Sequence, residues 1–173
     1  KAEDIGVSGP DLAPRWFVSI PSETGEVLFS GSTGLTPDKL ETERIKEAAA
    51  ANVASAVVPD KDVAFLAKTV RLLNLQSAEA RLELLEKDAA SGTDFFTFGN
   101  LRFWFTRRDG SIFQDHQLSY GQKRLLTFFY YLDANPSFVI ADELVNGMHH
   151  LWIEECVDAI GDRQAFLTSF NRY

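Results

Sequence analysis

Two short stretches of the chain carry residue types whose spacing suits chemistry on a phosphate. Ser119 and Gly121 open a run, from Tyr120 to about Asp133, that has no further glycine and contains Leu125, Leu126, Phe128, Phe129 and Leu132. Such a run reads as a largely buried helix, stopped by Asn135-Pro136. The free backbone amides and the dipole at its start favour an anion, and a glycine there lets a phosphate come close to the backbone. Further on, Phe138–Ala141 is a continuous apolar run that ends in Asp142 and Glu143. That is the pattern of a buried parallel strand releasing two acids at its carboxyl edge. Adjacent carboxylates at such an edge can divide the labour: one holds a hydrated Mg²⁺, and the other accepts a proton from an attacking water.

The elements around these residues are those that would bring them together. Ile153, Cys156, Val157 and Ile160 mark one face of a helix closed by Gly161, and Ala165-Phe166-Leu167-Thr168-Ser169 reads as another buried strand. A right-handed β-α-β crossover puts the ends of both strands on one edge, so Asp142, Glu143 and Ser169 to Asn171 are expected to converge there. Upstream, Leu101, Phe103 and Phe105 alternate with Arg102, Trp104 and Thr106, the period of a half-buried strand. Asp109-Gly110 is a tight-turn pair leading to Ser111-Ile112-Phe113, so a hairpin delivers the chain to Leu118.

The first half of the chain offers structure and little chemistry. After a loop-like opening, Arg15–Ile20 and Glu26–Ser30 read as a hairpin across Pro21-Ser22-Glu23-Thr24-Gly25. The stretch Gly31-Ser32-Thr33-Gly34-Leu35-Thr36-Pro37-Asp38-Lys39 has the wrong spacing for a phosphate loop and reads as a loop ending in a Thr36 cap, with Pro37 at the first helical position. From Pro37 to about Leu85 the abundance of Ala, Leu, Glu, Lys and Arg predicts three helical pieces, broken at Pro59-Asp60 and near Asn74–Ser77. Val63, Leu66, Val70 and Leu73, and then Leu82 and Leu85, supply their apolar stripes.

Composition bounds these readings without naming a partner. The 173 residues are 45% hydrophobic and include 14 Phe, enough for one or two small folded domains. A net charge of −8, from 17 basic and 25 acidic residues, argues against a surface built wholly for nucleic acid. The one cysteine, Cys156, has no disulfide partner in the chain, which suits a reducing compartment. No apolar run approaches the roughly 20 residues that span a bilayer, so a cytoplasmic location without membrane contact is the expectation. The chain starts at Lys1 without an initiator Met, which reads as a fragment or as joined pieces of a longer protein.

Several bland roles are expected beside the chemical ones. His149 and His150 suit a helix start better than a metal site. Cys156 suits core packing, and so does Phe128-Phe129-Tyr130-Tyr131. The Arg107-Arg108 pair suits a solvated turn.

Taken together, Leu118 to Gln122 resembles the signature motif of ABC-type ATPases, with Tyr120 in place of its usual glycine. Phe138 to Glu143 resembles the Walker B strand, and Leu144-Val145-Asn146-Gly147-Met148-His149 resembles the D-loop. The acid pair followed by Asn-Gly-x-His is similar to the branch that includes RecF-like, SMC-like and OLD-like proteins and many bacterial defence-system ATPases. The resemblance covers about Phe95 to Tyr173. The fold it implies is α/β: an ABC-type C-terminal lobe of parallel strands with flanking helices at 94–173. A β-hairpin or loop region at 1–35 and a helical subdomain or insertion at 36–93 would precede it.

The resemblance also implies roles and partners. ATP and Mg²⁺ are the implied cofactors. Ser119, Gly121, Gln122 and Lys123 would bind, in trans, the ATP held by an opposing subunit. Asp142 would hold Mg²⁺ through water, Glu143 would be the general base, and Asn146, Gly147 and His149 would lie at the dimer interface. Ser169, Phe170 and Asn171 would form the switch region. Phe170 stands where a switch histidine is expected, which implies slow hydrolysis or a role for Ser169 or Asn171. No Walker A sequence occurs in the chain, so the resemblance requires that lobe from outside this sequence or from another chain. The implied function is an ATP-sandwich dimer acting as a switch or clamp in DNA maintenance or antiphage defence. Its partners would be a nuclease or toxin effector, or nucleic acid. The alternative is a nucleotide-gated scaffold with little hydrolysis.

Overall fold

The hairpin expected near the start is present, and its first strand is an interior strand of a sheet. The computed structural model describes residues 14–33 and 42–168. Strand β1 (Arg15–Pro21) buries Trp16 and Val18 and pairs antiparallel with β2 (Leu28–Thr33), with a register shift between Phe17 and Val18. Gly25, at φ +64°, closes the intervening turn by donating its amide to the Pro21 carbonyl at 2.8 Å. The expected cap at Thr36 and helix start at Pro37 lie outside the described residues. Helix α1 (Thr42–Ala50) buries Ile45, Ala48 and Ala49, the three- and four-residue spacing of one helix face.

The rest of the three expected helical pieces fares differently from one to the next. Helix α2 (Ala64–Leu72) forms as expected and buries Phe65, Leu66 and Thr69. Ser55–Pro59, however, is strand β3, and Ser77–Ala90 is the long strand β4 rather than a helix. Two-residue periodicity overrides helix propensity here. Ala78, Ala80 and Leu82 are buried while Glu79, Arg81 and Glu83 alternate with them. Glu79 and Arg81 form an ion pair, as residues two apart on one strand face do and residues two apart on a helix do not. Ser91 (φ +51°) and Gly92 (φ +75°) then turn the chain into β5 (Thr93–Thr106). Both turn residues are left-handed, the combination that matches the twist of a tight hairpin.

Strand β5 is longer than its alternation suggests because its parity changes midway. Phe96 and Phe98 are buried in the first half and Phe105 in the second, and Asn100, at φ +50°, lies between them. A left-handed residue in a strand is what lets the two halves bury opposite parities. The turn at Asp109-Gly110 delivers β6 (Ile112–Gln114), antiparallel to β5. The six strands so far form one sheet in the order β2-β1-β5-β4-β3, with β6 on β5.

Helix α3 (Tyr120–Ala134) buries Leu125, Leu126, Phe128, Phe129 and Leu132 and stops at Asn135. Strand β7 (Phe138–Ala141), helix α4 (His150–Ile160) and strand β8 (Gln164–Leu167) complete the expected β-α-β unit. Its strands are parallel, with Ile140 in register with Phe166. The expectation that both are buried is corrected. Of β7 only Val139 is buried, and β8 is exposed along its length, because the pair forms a separate two-stranded sheet among the described residues. On α4, Cys156 and Ile160 are buried but Val157 is not.

The described chain divides into two compact units, one of 14–33, 42–56 and 82–101 and the other of 57–81 and 102–168. The first unit's core includes Trp16, Val18, Ile45, Phe96 and Phe98. In the second, Phe65 of α2 meets Phe103 and Tyr130 edge-on at 5.8 and 5.3 Å. The candidate site residues that are described all lie in the second unit.

Candidate functional site

Ser119 caps α3 through a reciprocal pair of bonds. Its Oγ accepts from the Gln122 amide at 3.3 Å, and the Gln122 side-chain oxygen accepts from the Ser119 amide at 2.9 Å. This capping box removes two of the helix's unpaired donors. Helix geometry leaves the first-turn amides of Tyr120 and Gly121 without intrahelical partners, and the Ser119 hydroxyl keeps its hydrogen to donate. At the start of the helix Ser119, Tyr120 and Lys123 are exposed.

Gly121 is buried, and the close approach it permits is to the protein's own backbone. A Cβ there would stand 2.1 Å from the Gly147 carbonyl oxygen. The space beside its Cα is thus filled by the loop after β7, which presses against α3 there. Gly147 itself takes φ +74° beneath the Tyr120 ring.

That loop carries the acid pair, held from several sides. The Thr168 hydroxyl, just past the end of β8, donates to Asp142 Oδ1 and accepts from the Glu143 amide at 3.0 Å. Asn146 Nδ2 donates to Glu143 Oε2 at 3.1 Å, and the Asn146 amide donates to the Glu143 carbonyl at 2.9 Å. Glu143 sits at φ +50°, an uncommon position for a side-chain-bearing residue. Arg124 reaches across from α3 to the carbonyl oxygens of Asp142 and Glu143. Asp142, Glu143, Asn146, Gly147, Ser119 and Gly121 are thus gathered around one loop and one helix start. The crossover brings the end of β8 to the acids as expected, while Ser169, Phe170 and Asn171 lie outside the described residues.

His149 caps α4, its Nδ1 accepting from the Leu151 amide at 3.4 Å, and its ring lies 4.2 Å from that of His150. Among the described residues no three His, Cys, Asp or Glu side chains gather to hold a metal ion. The hard oxygen donors present, the Asp142 carboxylate and the Thr168 hydroxyl, suit Mg²⁺, which keeps several waters and takes one or two carboxylates beside substrate phosphates. Asp142 is the residue that would hold it.

A cavity of about 390 Å³ opens beside the acid loop, lined by Tyr120, Lys123, Arg124, Phe128, Ile140 and Asp142 among others, and it is mostly apolar. Arg107 and Arg108 border a second cavity of about 420 Å³ but are engaged locally. Arg107 lies over the Phe113 ring at 4.1 Å, and Arg108 Nε donates to the Asn74 carbonyl at 3.3 Å.

Sequence reasoning missed the parts played by Arg124, Thr168 and Tyr120. Tyr120 and Arg124 are four apart on a helix and therefore share a side, which is a readable signal. Thr168 is the first polar residue after the apolar run of β8, in line with the acids once the strands are parallel. No family model matches the chain, and no curated protein matches it.

Proposed function

We propose that the chain is the signature and Walker B portion of an ABC-type ATPase. Its ATP-dependent dimerisation would act as a switch or clamp in DNA maintenance or antiphage defence, controlling a nuclease or toxin effector. The observation that carries this reading is the contact between Gly121 and Gly147. It joins an anion-suited helix start to a loop bearing two carboxylates, the pairing that phosphoryl transfer to water needs. In this reading the Ser119 hydroxyl and the first-turn amides of α3 meet the γ-phosphate of a nucleotide held by the opposing subunit. Asp142 holds Mg²⁺ through water, and Glu143 takes the proton of the attacking water. The exposed parallel pair supports the need for a second lobe, since parallel sheets are found covered on both faces.

The experiment is Glu143→Gln in the protein complete with its nucleotide-holding lobe. Loss of a general base lowers turnover by about 10²–10⁴-fold, so the variant is expected to retain ATP while phosphate release falls into that range. Undiminished hydrolysis removes Glu143 from the role of base. Phe170, where a switch histidine is expected, favours a second reading, a nucleotide-gated scaffold. ATP-dependent assembly of the wild type without phosphate release would select it.

A further inference from the structure

The guanidinium of half-buried Arg124 makes several bonds to the acid loop and its own helix. Nη2 donates to the Asp142 carbonyl at 2.8 Å and also to the Glu143 carbonyl, and Nη1 donates to the Tyr120 phenol oxygen at 2.8 Å. The same guanidinium lies 5.5 Å from the centre of the Tyr120 ring. That ring covers Gly147, where an added Cβ would come within 2.8 Å of Cδ1. Two side chains of α3 thus hold both ends of the acid loop, one by its carbonyls and one by its glycine.

We propose that Tyr120 and Arg124 form a clasp that fixes the backbone of Asp142 and Glu143 and so positions the Glu143 carboxylate. Arg124 is a positioning residue and Tyr120 its anchor. The geometry of the clasp stands by itself; its consequence for turnover rests on the ATPase reading. The need for it follows from the loop. Glu143 is held at φ +50°, a conformation that persists only where its surroundings over-determine it. The Asn146 bond to the Glu143 carboxylate is internal to the loop and moves with it, so it cannot hold the loop in place. Thr168 restrains the acids from the β8 side, and Arg124 restrains them from the α3 side. A planar fork with several fixed donors can serve two carbonyls and a phenol together, which a lysine ammonium does less well.

The test compares Arg124→Gln, Arg124→Lys and Tyr120→Phe with the wild type by amide hydrogen exchange and by turnover. The Asn146 and Met148 amides bond to the Glu143 and Val145 carbonyls within the loop, so they report its opening. Arg124→Gln is expected to speed their exchange by about tenfold or more while amides of α2 keep theirs. Arg124→Lys, which keeps the charge and guards against a variant that fails to fold, is expected to fall between. Tyr120→Phe keeps the ring and should loosen the loop less. In the complete ATPase, Arg124→Gln is expected to lower kcat by about tenfold or more with the KM for ATP within about threefold. It should add little further loss to Glu143→Gln, because residues acting as a unit are not additive. Unchanged loop exchange overturns the clasp. Faster exchange with unchanged kcat overturns the positioning role. A wild type without ATP turnover overturns the ATPase reading and with it the role in turnover, while the exchange data still decide whether the clasp exists.

Discussion

At Gly121 there is no room for a side chain, and the atoms in the way are backbone. A Cβ would stand 2.1 Å from the Gly147 oxygen and 3.1 Å from its carbonyl carbon, so no flexible group can swing aside to admit it. Gly121→Ala must push α3 and the acid loop apart. Overfilling a packed site typically destabilises by about 1–3 kcal/mol, and a clash between two backbones belongs at the upper end of that range. The expected result is a lower midpoint in thermal or denaturant unfolding; an unchanged midpoint would show that the loop has freedom the packing denies it. A glycine at a helix start reads equally well in sequence as access for a ligand or as room for a neighbour. Only the fold names the neighbour, because Gly147 lies far along the chain and its carbonyl carries no signature of its own.

Among the elements, α3 and α4 were legible and β4 was not. Helix α3 announces itself by its apolar residues, its Ser119 cap and the Asn135-Pro136 stop, all local signals. Strand β4 is made of Ala, Glu, Leu and Arg, which favour helix in isolation, and it becomes a strand because its buried Ala78, Ala80 and Leu82 lie two apart against a sheet. Helix α4 carries a testable consequence of its burial. Cys156 has no exposed surface, and burial pushes its thiol from an ordinary value of 9.0 up to about 12, with nearby Lys68 opposing and Glu155 adding to the effect. The folded chain therefore keeps a proton that the unfolded chain loses. The stability linked to Cys156 is intact below about pH 9 and declines as pH rises toward about 12, by at most about 1.4 kcal/mol per pH unit. Burial also raises the Tyr130 hydroxyl to about 12, so its contribution fades over the upper part of the same window. Cys156→Ala is expected to flatten the decline that begins near pH 9 while leaving the part that begins near pH 10. An iodoacetamide rate at pH 8 equal to that of a free thiol would refute the burial of this face; a rate set by unfolding is expected.

For the whole molecule, what remained hidden was the covering of the last two strands. The apolar run at Phe138–Ala141 and the β-α-β order were readable, and from them a parallel pair follows. Burial does not follow, because it depends on what packs against the pair, and no local pattern encodes that. Ile140 is 62% exposed and Phe166, its partner in register, is 56% exposed. Exposed side chains contribute little to the stability of the chain that bears them, and substitutions there usually change it by less than about 0.5 kcal/mol. If a second lobe lies over this face in the working protein, the two residues matter to assembly rather than to folding. The double substitution Ile140→Lys with Phe166→Lys is therefore expected to leave the circular dichroism spectrum and unfolding midpoint of the chain nearly unchanged and to reduce its binding of an apolar dye. In the complete protein the same pair of lysines would place like charges in a covered sheet, where each buried charge is strongly unfavourable. ATP-dependent assembly should then fall by about tenfold or more, since tenfold is only 1.4 kcal/mol. If assembly persists at wild-type strength while dye binding falls, the face is solvent-exposed in the working protein too, and the second lobe must join elsewhere.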